Sequence, residues 1–150
     1  KHHFSIYDPV SNGMFTGDTV GIRYEQLIGE GIGLFLPSTS PNQFDPSGMN
    51  LAIERMEKMN LASIYFGHYG MTNDPKEALR QVSEWLVFFM EEGEAIVEEG
   101  KDHEELSQRL FSRVREHLRS VNVSDDNGVY YLIEVDMQVS AMGIMDYLAK

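Results

Sequence analysis

The stretch Gly13-Met14-Phe15-Thr16-Gly17-Asp18 sets the reading of this 150-residue chain. Its apolar, β-prone residues predict a strand from Gly13 to Gly17. Gly17 then lets the backbone turn or approach another segment closely. Asp18 follows at the strand's end, where sheets of α/β type place their chemistry. Ser63-Ile64-Tyr65-Phe66-Gly67-His68 repeats the arrangement with an imidazole. A carboxylate and an imidazole at two strand ends suit a shared hard-to-borderline metal ion. Two donors are fewer than the three protein ligands of a catalytic zinc site. Spacing alone therefore gives half of a metal site. Each residue also has an ordinary use: Asp18 as a turn former or helix cap, His68 as a hydrogen-bonded side chain.

Three stretches carry a family resemblance: His2-His3-Phe4-Ser5-Ile6-Tyr7-Asp8, Met14-Phe15-Thr16-Gly17-Asp18-Thr19-Val20-Gly21 and Phe66-Gly67-His68-Tyr69-Gly70. Together, in this order, they resemble the C-terminal half of metallo-β-lactamase-fold hydrolases. The resemblance runs from His2 to about His68. It implies an α+β fold, half of an αββα sandwich, with a small antiparallel-containing sheet followed by C-terminal helices. It also implies that Asp18 bridges two metal ions and that His68 supplies the last histidine ligand. Zinc is the expected cofactor, and iron or manganese also suits His/Asp donors. The implied activity is attack by a metal-bound hydroxide on an ester, thioester or lactam-like bond of a small molecule.

The family's His-x-His-x-Asp-His string does not occur in the sequence, which opens at Lys1-His2-His3. By the resemblance, His2 and His3 come just after a Pro-Gly-His ligand and are not ligands themselves. The expectation is a single domain over 1–150, the C-terminal half of a larger hydrolase. Its sheet and metal-ligand part covers 1–74 and its helical part 75–150. With two donors it is expected to be inactive by itself. An alternative is a non-catalytic association module, a homodimer formed through an exposed apolar sheet face. A third reading is a helical partner-binding domain built from the segments after Asp74.

Composition narrows the partners. Acidic residues number 24 against 12 basic ones, a formal charge of −12. That field repels nucleic acid and anionic membrane surfaces, so neither is an expected partner. Many acids fall on predicted helices, among them Glu91, Glu92, Glu94, Glu98 and Glu99, as a solvated face would require. The chain has no cysteine, which excludes disulfides and Cys-ligated zinc. No signal peptide is read at the start, and the expected location is cytoplasmic.

Along the chain, His3 to Tyr7 predicts a first strand. Asn12-Gly13 is a hairpin signal, which makes the Gly13 to Gly17 strand antiparallel to it. Thr19 to Glu30 is expected to be a loop, with Arg23 and Tyr24 available to a substrate. A salt bridge and a packed aromatic would explain the same two residues. Gln26 to Leu36 is apolar but punctuated by glycine, which predicts an irregular, partly exposed loop. Its apolar residues are expected to pack against something outside the chain. Asp45-Pro46 opens a helix whose apolar face is Leu51, Ile53, Met56 and Met59. Asp74-Pro75 opens a second, running to Glu99 with Gly100 as its stop. Its stripe is Leu79, Val82, Leu86, Phe89 and Val97, widened by Ala78, Trp85 and Ile96. Asp102 and Glu105 open a third helix, to about Leu118. Val129 to Val135 has strand-like composition, but the spacing of Leu132, Val135, Val139 and Met142 predicts a final helix to Leu148. Asp125-Asp126-Asn127-Gly128 lacks the spacing of a calcium loop and reads as a turn.

Overall fold

A computed structural model describes residues 4–68 and 70–150. The reading of His2 and His3 lies outside the described residues. The fold is α+β, a small mixed sheet followed by long C-terminal helices. Two compact units are distinguished: Lys1–Ser38 with Asp45–Val87, and Thr39–Phe44 with Phe88–Lys150.

In the first unit, β1 (Ile6–Asp8) and β2 (Gly13–Gly17) form the hairpin that Asn12-Gly13 signals. Asn12 takes a left-handed φ of 51°, a conformation that asparagine tolerates better than most residues. Its carbonyl accepts from Ala62 N at 2.8 Å, and its side chain donates to Asn60 O at 3.0 Å. These bonds tie the hairpin turn to the entry of β5 (Ser63–Phe66), which pairs with β2 in parallel. A further strand, β6 (Gly70–Thr72), turns back antiparallel on β5. The sequence reading did not contain it. The sheet order is β1-β2-β5-β6.

Alternation gives this sheet two unlike faces. Met14, Thr16, Ile64, Phe66 and Thr72 are buried. Ile6, Phe15, Tyr65 and Met71 stand in register across the other face. Phe15 and Tyr65 stack there with ring centroids 4.6 Å apart, and Ile6 and Phe15 are exposed.

The segment expected to be an exposed loop is instead core. β3 (Ile22–Arg23) pairs with β4 (Phe35–Leu36), and a 3₁₀ helix fills Glu25–Glu30 between them. Leu27, Leu34 and Leu36 are fully buried within the chain, and Phe35 packs on Phe66 at 5.5 Å. The glycines here serve the turn: Gly31 caps the 3₁₀ helix at φ 74°. Gln81 then fastens β4 from the side. It accepts from Phe35 N at 3.2 Å and donates to Gly33 O at 3.0 Å.

α1 (Pro46–Glu57) starts as read, with the Asp45 carboxylate accepting from Gly48 N. Its buried face is Met49, Ile53 and Met56; Leu51 and Met59 are exposed. α2 (Pro75–Glu98) begins with Glu77 N donating to Asp74 at 3.1 Å. Arg80 grips Glu77 with two bonds, at 2.8 and 2.6 Å. This fork, followed by the bond from Gln81, holds the Glu77 carboxyl down at about 2. A lowered folded-state value means stability that is present above the ordinary carboxylate range and is lost as pH falls towards 2. Both partners are largely exposed, so the pair contributes at most about 1 kcal/mol. Glu77→Gln should therefore melt about 2–4 °C below wild type at pH 7. Thermal melts should show that gap closing steadily below pH 4.5.

In the second unit, α3 (His103–Ser120) and α4 (Val129–Leu148) pack together with the C-terminal half of α2. Asp102 caps α3 by accepting from Glu104 N and Glu105 N. Leu106, Leu110, Val114 and Leu118 face Ile133, Met137, Ala141 and Ile144 in the buried interior. Thr39 lies along α4, its hydroxyl donating to Ser140 O at 3.1 Å. Asp125, in the Asp-rich turn, is held by Arg115 and Arg119.

Candidate metal centre

Parallel pairing of β2 and β5 brings the ends of both strands to one edge of the sheet. The register shifts between Phe15 and Gly17, a bulge centred on Thr16. A bulge re-aims the residues beyond it. Thr16 is fully buried there, and its hydroxyl donates to Tyr65 O at 3.3 Å. Gly17 then takes φ 52°, a left-handed conformation that glycine adopts without strain. The turn closes with Thr19 N donating to Thr16 O and Gly21 N to Asp18 O.

His68 follows β5 in the turn that leads to β6. Gly67 N donates to Gly17 O at 3.1 Å, which locks the two strand ends together. A Cβ on Gly67 would stand 3.0 Å from Asp18 Oδ1 and 3.1 Å from the Gly17 backbone. The glycine is thus a condition of the close approach.

The structure brings Asp18 and His68 together. Asp18 Oδ1 and His68 Nε2 are 3.2 Å apart, with side chains 31% and 65% exposed. The pair makes a polar contact at a solvent-accessible edge and is not walled off by core. The same distance suits two donors on one ion. Ligands about 2.1 Å from a shared metal stand roughly 3.0–3.4 Å apart at octahedral or tetrahedral angles. A carboxylate and an imidazole therefore fit as part of a zinc, iron or manganese shell. Among the described residues, no three His, Cys, Asp or Glu side chains group as a metal site. A cleft of about 400 Å³ between α3 and α4 contains His103, Glu104 and Glu134, but these do not converge as such a group.

Arg23 and Tyr24 have structural duties. Arg23 donates to Glu25 at 3.1 Å and to the Met71 carbonyl, and its guanidinium lies over the Phe35 ring. It thereby holds β6, the strand after His68, against the β3–β4 ribbon. Tyr24 is buried. Sequence reasoning offered the salt bridge and the packed aromatic but missed the bond to the Met71 carbonyl and β6 itself; a three-residue strand after a glycine leaves little periodic signal. Among the described residues, no helix is long and apolar enough to cross a membrane.

No protein-family model, curated protein or solved structure matches this chain.

Proposed function

We propose that this chain is the C-terminal half of a metal-dependent hydrolase of the αββα metallo-β-lactamase type. In this reading Asp18 and His68 are donors in its dinuclear zinc centre. The observation that carries it is the 3.2 Å approach of the two side chains at the ends of parallel strands. The sheet face that leaves Ile6 and Phe15 exposed supports it too, because a sandwich half keeps one face for the opposing sheet. Asp18 would supply a carboxylate donor and His68 an imidazole donor to the metal. Gly67 leaves room for the carboxylate, and the Arg23–Glu25 pair steadies the strand after the imidazole. When bound, the metal supplies a hydroxide near neutral pH and polarises an ester, thioester or lactam-like bond.

Calorimetric zinc titration of the chain tests this reading. Two donors should give uptake weaker than micromolar, lost in Asp18→Ala and in His68→Ala, and no hydrolysis of esters or thioesters. Micromolar or tighter uptake that still needs Asp18 would bring in further donors such as His2 or His3. No uptake at about 1 mM zinc, or uptake indifferent to both substitutions, overturns the metal site. Zinc-dependent turnover abolished by Asp18→Ala overturns the expectation of an inactive half.

Exposed Ile6 and Phe15, in register with half-buried Tyr65 and Met71, also favour a second reading. Here the chain is an association module, and a second copy covers this face.

A further inference from the structure

Two Asn-Gly pairs occur in the sequence, Asn12-Gly13 and Asn127-Gly128. The first shapes the β1–β2 hairpin, and the second lies in the turn before α4. Asn-Gly has a covalent chemistry of its own. Glycine leaves its backbone nitrogen unshielded by a Cβ and its backbone free to rotate. That nitrogen can then reach the carbonyl carbon of the preceding asparagine side chain. Each amide oxygen already accepts one bond, from the Tyr7 hydroxyl at 3.1 Å for Asn12 and from Val129 N at 2.9 Å for Asn127. The surroundings of the two glycines therefore decide between the pairs.

Gly13 is closed in. It is buried in β2, in register with Asp8 on one side and Ser63 on the other. A Cβ there would stand 2.7 Å from the Tyr65 ring and 2.9 Å from the Ser11 hydroxyl. Asn12 is also tied to the entry of β5, through Ala62 N to its carbonyl and its own Nδ2 to Asn60 O. Turning the Asn12–Gly13 peptide means opening the sheet. Gly128 is exposed, and nothing lies within 4 Å of a Cβ built on it. Its N–H donates to no backbone carbonyl among the described residues. Turning the Asn127–Gly128 peptide gives up bonds at the start of α4, such as Val129 N to Asn127 Oδ1 and Tyr130 N to Asn127 O. Helix ends open at low free energy.

We propose that Asn127 is a site of spontaneous deamidation, and that the fold protects Asn12 from the same reaction. Gly128 N gives up its proton and bonds to Asn127 Cγ. The Cγ–Nδ2 bond breaks, ammonia leaves with that proton, and a cyclic imide remains. Water, the only co-reactant, then adds to one of the two imide carbonyl carbons, and the C–N bond at that carbon breaks. Opening at Cγ gives aspartate; opening at the main-chain carbonyl gives isoaspartate. The two products differ in their effect on α4. Aspartate keeps an acceptor for Val129 N and places a charge where a helix favours an anion. Isoaspartate routes the main chain through Cγ, adds a methylene to the backbone and removes that acceptor.

The test is to incubate the chain in mildly alkaline buffer, digest it, and follow both asparagines by peptide mass spectrometry, with isoaspartate read by enzymatic methylation. In the folded chain Asn127 should convert about tenfold faster than Asn12 or more, because opening the sheet breaks more hydrogen bonds. In urea the two should convert at similar rates. Gly128→Ala, whose Cβ meets open space, should fold and lose most of the conversion at Asn127. Asn127→Asp should also fold and elute from an anion exchanger with the aspartate product. Conversion at Asn12 as fast as at Asn127 in the folded chain overturns the proposal. So does an Asn127 that stays intact in the folded chain while the chain in urea converts. An unchanged rate at Asn127 in Gly128→Ala also overturns it, because the attacking atom is then not Gly128 N.

Discussion

Gly143→Ala is expected to melt about 10 °C below the wild-type chain. In an ordinary helix this change stabilises by about 1 kcal/mol, because alanine loses less backbone freedom on folding. Here the sign reverses. A Cβ at position 143 would stand 1.6 Å from the Thr39 carbonyl oxygen and 2.9 Å from the Ser40 carbonyl carbon. Both obstacles are backbone, so no side-chain rotation relieves the clash. Either the 39–44 segment leaves α4, and the Thr39–Ser140 bond with it, or the helix shifts. A loss of about 3–5 kcal/mol follows from such overpacking. Gly93→Ala should be milder, because its nearest obstacle is the Ile144 side chain. Differential scanning calorimetry separates the two variants. A Gly143→Ala protein that melts with wild type would refute the close passage of Thr39 over α4.

Leu36→Ala should cost about 3 kcal/mol, and Leu51→Ala less than about 0.5 kcal/mol. Leu36 is fully buried, whereas Leu51 is 48% exposed. Denaturant unfolding gives both numbers in one experiment. Equal losses at the two sites would reverse the assignment of core and surface, since the sequence pattern alone assigns the two leucines oppositely.

That contrast shows where sequence reasoning reaches and where it stops. Local chemistry was legible. Asp45, Asp102 and Gly100 punctuate helices as their side chains and φ preferences dictate. Asn12-Gly13 fixes the hairpin, and the helical spacing over 129–148 outweighed its strand-like composition. Tertiary burial was less legible. Glycines between Gln26 and Leu36 suggested a loop, but the chain uses them to fold a turn over its own core. On α1 the stripe lies on Met49, Ile53 and Met56, so Leu51 and Met59 were wrongly placed on it. Val97 was likewise placed on the α2 stripe but is exposed, whereas Ile96, read as widening that stripe, is fully buried. The positions of Asp18 and His68 at strand ends were readable. Their mutual approach depends on β2 and β5 being parallel neighbours, which no local pattern encodes.

The β2–β5 pairing also sets a timetable for folding. Met14 meets Ile64 across the whole intervening chain, whereas α3 and α4 join through a short connection. Closing a longer loop forfeits more chain entropy before any contact rewards it. The helical hairpin can nucleate from neighbours in sequence, but the edge that carries the carboxylate and the imidazole must wait for a distant encounter. The topology therefore favours late assembly of the edge where Asp18 meets His68.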